Sequence, residues 1–158
     1  MKRSLIALAI VLIALTPFSL LAQYNFPLGE LQKLTNKNAS DFETFVLEKD
    51  YSPLSKLSSK VMKVYTSDKA GASGKQYTIS RYQVPNAVAR VTFATTDKKY
   101  YIDLKSHLPA SGLKFVNEET KTIDGVETVC YNYANGALKV SLCSYTNDVP
   151  WYRVEVHF

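Results

Sequence analysis

The chain has few of the residues from which metal and catalytic centres are usually built. Its 158 residues include two cysteines, two histidines and one tryptophan. His107 and His157 do not stand at a metal-ligand spacing from Cys130 and Cys143. The chain also lacks the G-x-S-x-G, G-x-G-x-x-G, Walker and H-E-x-x-H signatures. The sequence therefore predicts neither a metal nor a cofactor.

The chain lacks an apolar run long enough to span a bilayer. Its longest such run, residues 5–15, falls short of the roughly 20 residues that a spanning helix requires. It follows Lys2 and Arg3 and precedes Pro17 and the small residue Ala22, which is the order of a secretory signal peptide. We predict a signal peptide over 1–22 and one domain over 23–158, exported to the periplasm or secreted, with no membrane span.

A dense cluster of basic charge is also missing. Lysine and arginine never form a run of four, and the formal charge is +5. Removal of residues 1–22 leaves 17 basic and 14 acidic side chains, a net charge of +3. Such a mild excess is typical of a solvated surface, so nucleic acid is not a predicted partner.

Three segments carry helix signals. Residues 26–38 have leucines three apart, which favours a short first helix. Ser40 and Glu43 form an S-x-x-E capping box, so a helix is predicted over 41–50 and ends before Pro53. Residues 97–108 fit a strand core or a helix capped by Asp97, and the helix is favoured.

Alternating segments predict the strands. They cover residues 60–67, 76–84, 88–95 and 113–120, two strands around Asn135-Gly136-Ala137, and the final WYRVEVHF. Short turns imply antiparallel pairing, and two main helices can cover one face of such a sheet. The predicted fold is α+β, with an antiparallel sheet of about six or seven strands and two helices on one face.

The two cysteines flank a hairpin turn that allows two registers. An Asn135-Gly136 loop would place Cys130 opposite Ser141, with Cys143 too far away for a disulfide. A Gly136-Ala137 loop places Cys130 directly opposite Cys143. Both registers keep the same hydrophobic face, so the cysteines decide, and an oxidising compartment favours their pairing. We predict a Cys130–Cys143 disulfide and the Gly136-Ala137 turn.

Tyrosine is the most distinctive feature of the composition, with 11 copies. Tyrosine is enriched at interfaces because it joins an apolar ring to a polar hydroxyl, although it is also a good strand former. The candidate partner-contact residues are Tyr65, Tyr77, Tyr82, Tyr145 and Tyr152.

One candidate catalytic pair lies on the helix predicted over 97–108. Asp103 and His107 are one helical turn apart and would need a nucleophile such as Ser106 or Ser111. A surface helix pair explains the same spacing, so hydrolysis is the least favoured of the functional interpretations.

The layout resembles a loosely defined group of small exported proteins from Bacteroidetes-type bacteria. The matching features are LLAQ at the end of the signal, the spacing of Leu31, Leu34, Asp41, Phe42, Phe45 and Tyr51, and the final WYRVEVHF. The resemblance implies an exported α+β domain. That group has no assigned activity, so it implies no functional residues for this chain.

The sequence thus favours an exported, non-enzymatic binding module. Its predicted partner is a protein or a component of the cell envelope, contacted through a tyrosine-bearing sheet face or an unpaired edge strand. The alternative is an exported inhibitor or immunity-type protein that blocks a partner enzyme.

Overall fold

The computed structural model describes residues 25–67, 74–123, 125–145 and 150–158. The predicted signal peptide lies outside the described residues. Among the helices in these ranges, none combines the length and the apolar character that crossing a membrane requires.

The described strands form one antiparallel sheet. They are β1 (Ser52–Pro53), β2 (Met62–Thr66), β3 (Tyr77–Tyr82), β4 (Arg90–Thr95), β5 (Lys114–Ile123), β6 (Val126–Asn135), β7 (Leu138–Tyr145) and β8 (Trp151–His157). Their order across the sheet is β1-β2-β3-β4-β8-β7-β6-β5. Each half of the sheet is therefore a meander, and the two meanders meet where β4 pairs with β8.

Three helices lie on one face of this sheet in the described part of the chain. They are α1 (Leu28–Thr35), α2 (Ala39–Glu48) and α3 (Lys98–His107). α1 packs on β4 and β8, and α3 packs on β8. The ring of Phe42 on α2 lies 5.9 Å from that of Tyr65 on β2. The predicted α+β class and antiparallel pairing are confirmed, and the described residues form eight strands and three helices in place of the predicted six or seven strands and two helices.

The hydrophobic core fills the space between the helices and the sheet. Each helix turns one apolar stripe inward, as its three- and four-residue spacing requires. The fully buried side chains from the helices and their connections include Phe26, Leu31, Leu34, Phe42, Val46 and Leu108. The sheet contributes alternate residues, such as Ile79, Val91, Phe93, Val140, Leu142 and Val156.

The start of α2 differs from the predicted capping box. The N-cap is Asn38, whose side-chain oxygen accepts a hydrogen bond of 2.8 Å from the amide of Asp41. The Asn38 amide group in turn donates to the Asp41 carboxylate at 3.0 Å. This reciprocal pair begins the helix at Ala39, so the prediction that Ser40 is the cap is wrong.

The end of α2 and the first strand also differ from the prediction. The helix stops at Glu48, and Asp50 adopts a left-handed backbone with φ of 62°. The chain then reverses, and Ser52–Pro53 pairs with β2 as an additional edge strand. Proline fits in this edge strand because a position at the edge of a sheet need not donate an N–H to a neighbouring strand.

The helical interpretation of residues 97–108 is confirmed. Asp97 is the N-cap of α3, and its carboxylate accepts from the amides of Lys99 and Tyr100 at 3.1 and 3.4 Å. After the helix, Gly112 takes a left-handed conformation with φ of 77°, which glycine adopts without a steric penalty.

The cysteine hairpin has the register predicted from the disulfide. Asn135 pairs with Leu138 and Cys130 pairs with Cys143. The sulfur atoms are 2.10 Å apart and the two Cα atoms 4.0 Å apart. Gly136 has φ of 59°, which suits the first position of a two-residue turn. The Gly136-Ala137 turn is therefore confirmed.

Candidate functional site

The face of the sheet opposite the three helices carries mainly polar side chains. One row across it contains Ser80, Thr92, Glu155, Ser141 and Asn132, which are neighbours in the strand register. Ser141 donates to the side-chain oxygen of Asn132 at 2.6 Å, so part of the row is hydrogen-bonded together. None of the described helices packs on this face.

Apolar side chains are exposed at one end of this polar face. We call the group Tyr82, Val84, Val88, Arg90 and Phe158 the β3–β4 patch. Val84 is 37% exposed, Val88 54% and Phe158 42%. Together with Ala87 and His157 these residues surround a shallow depression of about 380 Å³. An apolar cluster rimmed by polar groups is the usual composition of a protein contact site.

A tight turn holds the two valines of the patch. Pro85 and Asn86 occupy its centre, and the Ala87 amide donates to the Val84 carbonyl at 3.3 Å. Asn86 has φ of 63°, and proline followed by a left-handed asparagine is typical of a type II turn. The Gln83 side chain also donates to the Ala87 carbonyl at 3.2 Å. Val84 and Val88 are thus exposed on a turn with few conformational alternatives.

Arg90 links the patch to the polar face. Its guanidinium carbon lies 4.9 Å from the centre of the Tyr82 ring, and one nitrogen lies 3.4 Å from Glu155. Glu155 also accepts from Arg153 at 3.0 Å. The Arg90 side chain is 42% exposed, whereas that of Glu155 is 16% exposed. The ion pair therefore holds the Arg90 guanidinium at a position that solvent still reaches.

His157 borders the patch on β8. Burial lowers the pKa of His157, and Lys139 and Arg90 lower it further, while Glu155 opposes them. The imidazole therefore favours its neutral form at neutral pH. The charge of the patch comes from Arg90, and it does not depend on protonation of His157 near pH 7.

The predicted contact tyrosines fall into two groups. Tyr65, Tyr77 and Tyr152 point toward the helices and are 3%, 6% and 7% exposed. There they pack against Phe42, Phe93 and Tyr101 respectively. Their rings are thus part of the core.

The other two tyrosines lie on the polar face. Tyr82 belongs to the β3–β4 patch. Tyr145 is half-buried and pairs with Trp151 across β7 and β8, close to the disulfide. Of the five candidates, only these two lie on a face that the described helices leave uncovered.

Two of the candidate hydrolase residues line a cleft on the opposite side of the molecule. This cleft of about 460 Å³ includes Asp103 and His107. The Asp103 carboxylate pairs with Lys99 at 2.6 Å, while Nδ1 of His107 lies 2.6 Å from the backbone carbonyl oxygen of Asp103. Ser106 donates to that same carbonyl oxygen at 2.7 Å, and its hydroxyl oxygen lies 3.2 Å from Nδ1 of His107.

The last candidate nucleophile is also engaged with the backbone. Ser111 donates to the His107 carbonyl at 3.1 Å. A hydrolytic triad needs a hydrogen bond from the nucleophile to the imidazole and another from the imidazole to the carboxylate. α3 therefore places Asp103, Ser106 and His107 close together without forming the carboxylate–imidazole link. Within the described ranges, no three His, Cys, Asp or Glu side chains are grouped so that they could hold a metal ion.

Sequence reasoning missed most of the β3–β4 patch. The predicted strands included Val84 and Val88, whereas β3 ends at Tyr82 and β4 begins at Arg90. The available signal was the V-P-N-A turn, because valines beside a proline-asparagine turn need not continue a strand. The position of Phe158 depends on the pairing of β4 with β8, which are far apart in sequence, whereas the Arg90–Tyr82 contact follows from the register of the β3–β4 hairpin.

No family model, curated protein or solved structure matches this chain. The functional argument therefore rests on the geometry of its own residues.

Proposed function

We propose that the protein is an exported, non-enzymatic binding module that contacts another protein through the β3–β4 patch. The observation that carries the proposal is the exposure of Val84, Val88 and Phe158 around the Arg90–Tyr82 stack. Tyrosine and arginine are the residues that most often contribute binding energy at protein interfaces. A rigid turn reduces the entropic cost of binding, because it is already ordered in the free protein.

The chemistry of the patch favours a protein over a charged envelope polymer. Its exposed cation, Arg90, stands among exposed apolar side chains, whereas a site for a polyanion needs several clustered cations. Its apolar side chains suit a partner with an apolar surface and a carboxylate or carbonyl placed near Arg90. An inhibitor of an enzyme would be one form of such a module, and export agrees with a disulfide-bonded domain.

The test uses the mature chain, residues 23–158, as bait in an envelope extract of the source organism. Val88→Asp places a charge in the patch, where the exposed side chain makes the fold insensitive to the change. Leu57→Asp is the matched control, because Leu57 is 57% exposed and lies outside the patch. We expect a partner that wild type and Leu57→Asp capture and Val88→Asp does not.

The affinity of the captured partner then gives the quantitative result. Val88→Asp is expected to weaken binding by about tenfold or more, which is roughly 1.4 kcal/mol. Tyr82→Ala should weaken it similarly by removing the ring beneath Arg90. Equal affinity for wild type and Val88→Asp, measured by calorimetry, would contradict the proposal.

A further inference from the structure

The two edges of the sheet differ in length and chemistry. β1 has two residues, one of them Pro53, which has no N–H to donate. β5 has ten residues, and eight of them are exposed. In the described part of the chain, no strand pairs with the outer edge of β5. Such an edge is a template for the addition of another strand.

The hairpin register shows which backbone groups of β5 face outward. Asn135 and Leu138 flank the turn and form a hydrogen-bonded pair, and pairs alternate along the ladder. By this count Cys130–Cys143 is a non-hydrogen-bonded pair, so the backbone N–H and C=O of Cys130 point toward β5. The partner of Cys130 on β5 is Glu119, so the backbone N–H and C=O of Glu119 point inward, toward β6. The outward-facing backbone groups on the adjoining stretch belong to Glu118, Thr120 and Thr122.

The side chains along this edge have a symmetric charge pattern. Glu119 and Lys121 lie on the same face, on either side of Thr120, and their charged groups are 3.1 Å apart. About 42% of the Glu119 side chain and 43% of the Lys121 side chain are exposed. If two copies of β5 meet antiparallel about a twofold axis at Thr120, each Glu119 lies opposite the Lys121 of the other copy.

We propose that the outer edge of β5 pairs with a second copy of this chain, antiparallel and centred on Thr120. In this register Thr120 faces its own symmetry mate, and Glu118 faces Thr122 of the other copy. These are the residues whose N–H and C=O groups point outward, so they form the hydrogen-bonded pairs. The two Glu119–Lys121 pairs occupy the alternate positions, where opposite side chains lie closest.

Neighbouring registers lose this complementarity. A twofold axis at Glu118 would place Glu119 opposite Asn117, and one at Thr122 would place Lys121 opposite Ile123. The irregular pairing between Phe115 and Asn117 limits regular pairing to residues 117–123. Seven residues per copy make a small interface, so the dimer is expected to be weak and concentration-dependent.

The test is sedimentation velocity of the mature chain between about 5 and 500 μM, the range where small interfaces associate. We expect the wild type to shift from monomer toward dimer. Glu119→Lys and Lys121→Glu each place like charges opposite one another and should weaken dimerisation by about tenfold or more. The double variant exchanges the two charges and should restore it.

Two further measurements make the result specific to this edge. Glu48→Lys is the control, because it changes the net charge equally on an exposed position of α2. Hydrogen exchange at the amides of Glu118, Thr120 and Thr122 should slow as concentration rises. A monomer throughout the range, a double variant as weak as the singles, or protection confined to other strands would overturn the proposal. None of these outcomes depends on the β3–β4 patch.

Discussion

At the scale of single residues, Asp97 shows how one side chain joins distant parts of the chain. Its carboxylate caps α3 and also pairs with Lys75 at 2.8 Å. Its backbone amide donates to the hydroxyl of Thr95 at 2.9 Å. The cap was predictable because it is local in sequence. The pair with Lys75 was not, since it depends on how β3 and β4 align.

Replacement of Asp97 by alanine is expected to lower the free energy of unfolding by about 2 kcal/mol. The change removes the carboxylate that accepts hydrogen bonds from the first amides of α3 and that pairs with Lys75. Asp103→Ala is the matched control, because its pair with Lys99 is solvent-exposed. That variant should lose clearly less stability, because a solvent-exposed ion pair contributes little to folding. Urea unfolding followed by circular dichroism would compare them, and equal losses would contradict this account.

The tyrosines show a limit of sequence patterns at the same scale. Alternation along β3 correctly separates Tyr77 from Tyr82, because successive residues point to opposite faces. It does not say which face the helices cover. That depends on where α1, α2 and α3 pack, so tyrosines of the core and of the patch look alike in the sequence.

At the scale of elements, the β6–β7 hairpin was the most predictable part of the fold. Its register followed from one long-range constraint, the distance between Cys130 and Cys143, added to a local turn signal. The start of α2 was less predictable because two capping patterns overlap. Asn38 with Asp41 and Ser40 with Glu43 both suit a helix start, and the sequence offers no means of ranking them.

Removal of the disulfide should destabilise the hairpin without changing its register. The bridge joins residues 13 apart in sequence and is almost fully buried. Cys130→Ala combined with Cys143→Ala is expected to lower the free energy of unfolding by about 3 kcal/mol. β6 still pairs with β5, and β7 still pairs with β8, so both strands of the hairpin are held in position from outside. Cross-strand nuclear Overhauser effects between Asn135 and Leu138 would check the register, and their loss in a folded variant would contradict the prediction.

At the scale of the whole molecule, the order of the strands across the sheet could not be predicted from the sequence. Short turns predict which consecutive strands pair, and those pairs are present. The contact between β4 and β8 joins segments separated by more than fifty residues, with no turn to indicate it. It arises because α3 carries the chain across the sheet and both meanders bury their apolar faces under the same helices.

Several buried tyrosines predict a loss of stability in alkali. Burial raises the pKa of Tyr101 to about 12, and burial also raises the pKa of Tyr100, with a smaller contribution from Glu30. In the unfolded chain these hydroxyls ionise near pH 10. The stability that these un-ionised hydroxyls contribute is therefore fully present below about pH 10 and is lost as pH rises toward 12. For each tyrosine the free energy of unfolding falls by up to ~1.4 kcal/mol per pH unit.

This pH dependence can be measured by urea unfolding at intervals between about pH 8 and 12, the window set by these pKa values. Tyr101→Phe removes one ionising group, so the decline in the free energy of unfolding should become shallower. Absorbance at 295 nm would report the titration of tyrosine directly in the folded and unfolded states. A decline as steep in Tyr101→Phe as in wild type would contradict the assignment.

The central position of β8 has a consequence for how the chain folds. β8 is synthesised after both of the strands that flank it, β4 and β7. Until it arrives, each meander has an open inner edge, and folding must close a contact between strands far apart in sequence. Long-range closure of this kind slows folding and leaves edges available for misassembly. The chain should therefore complete its fold only once β8 is available, and until then each of the two half-sheets keeps an unpaired inner edge.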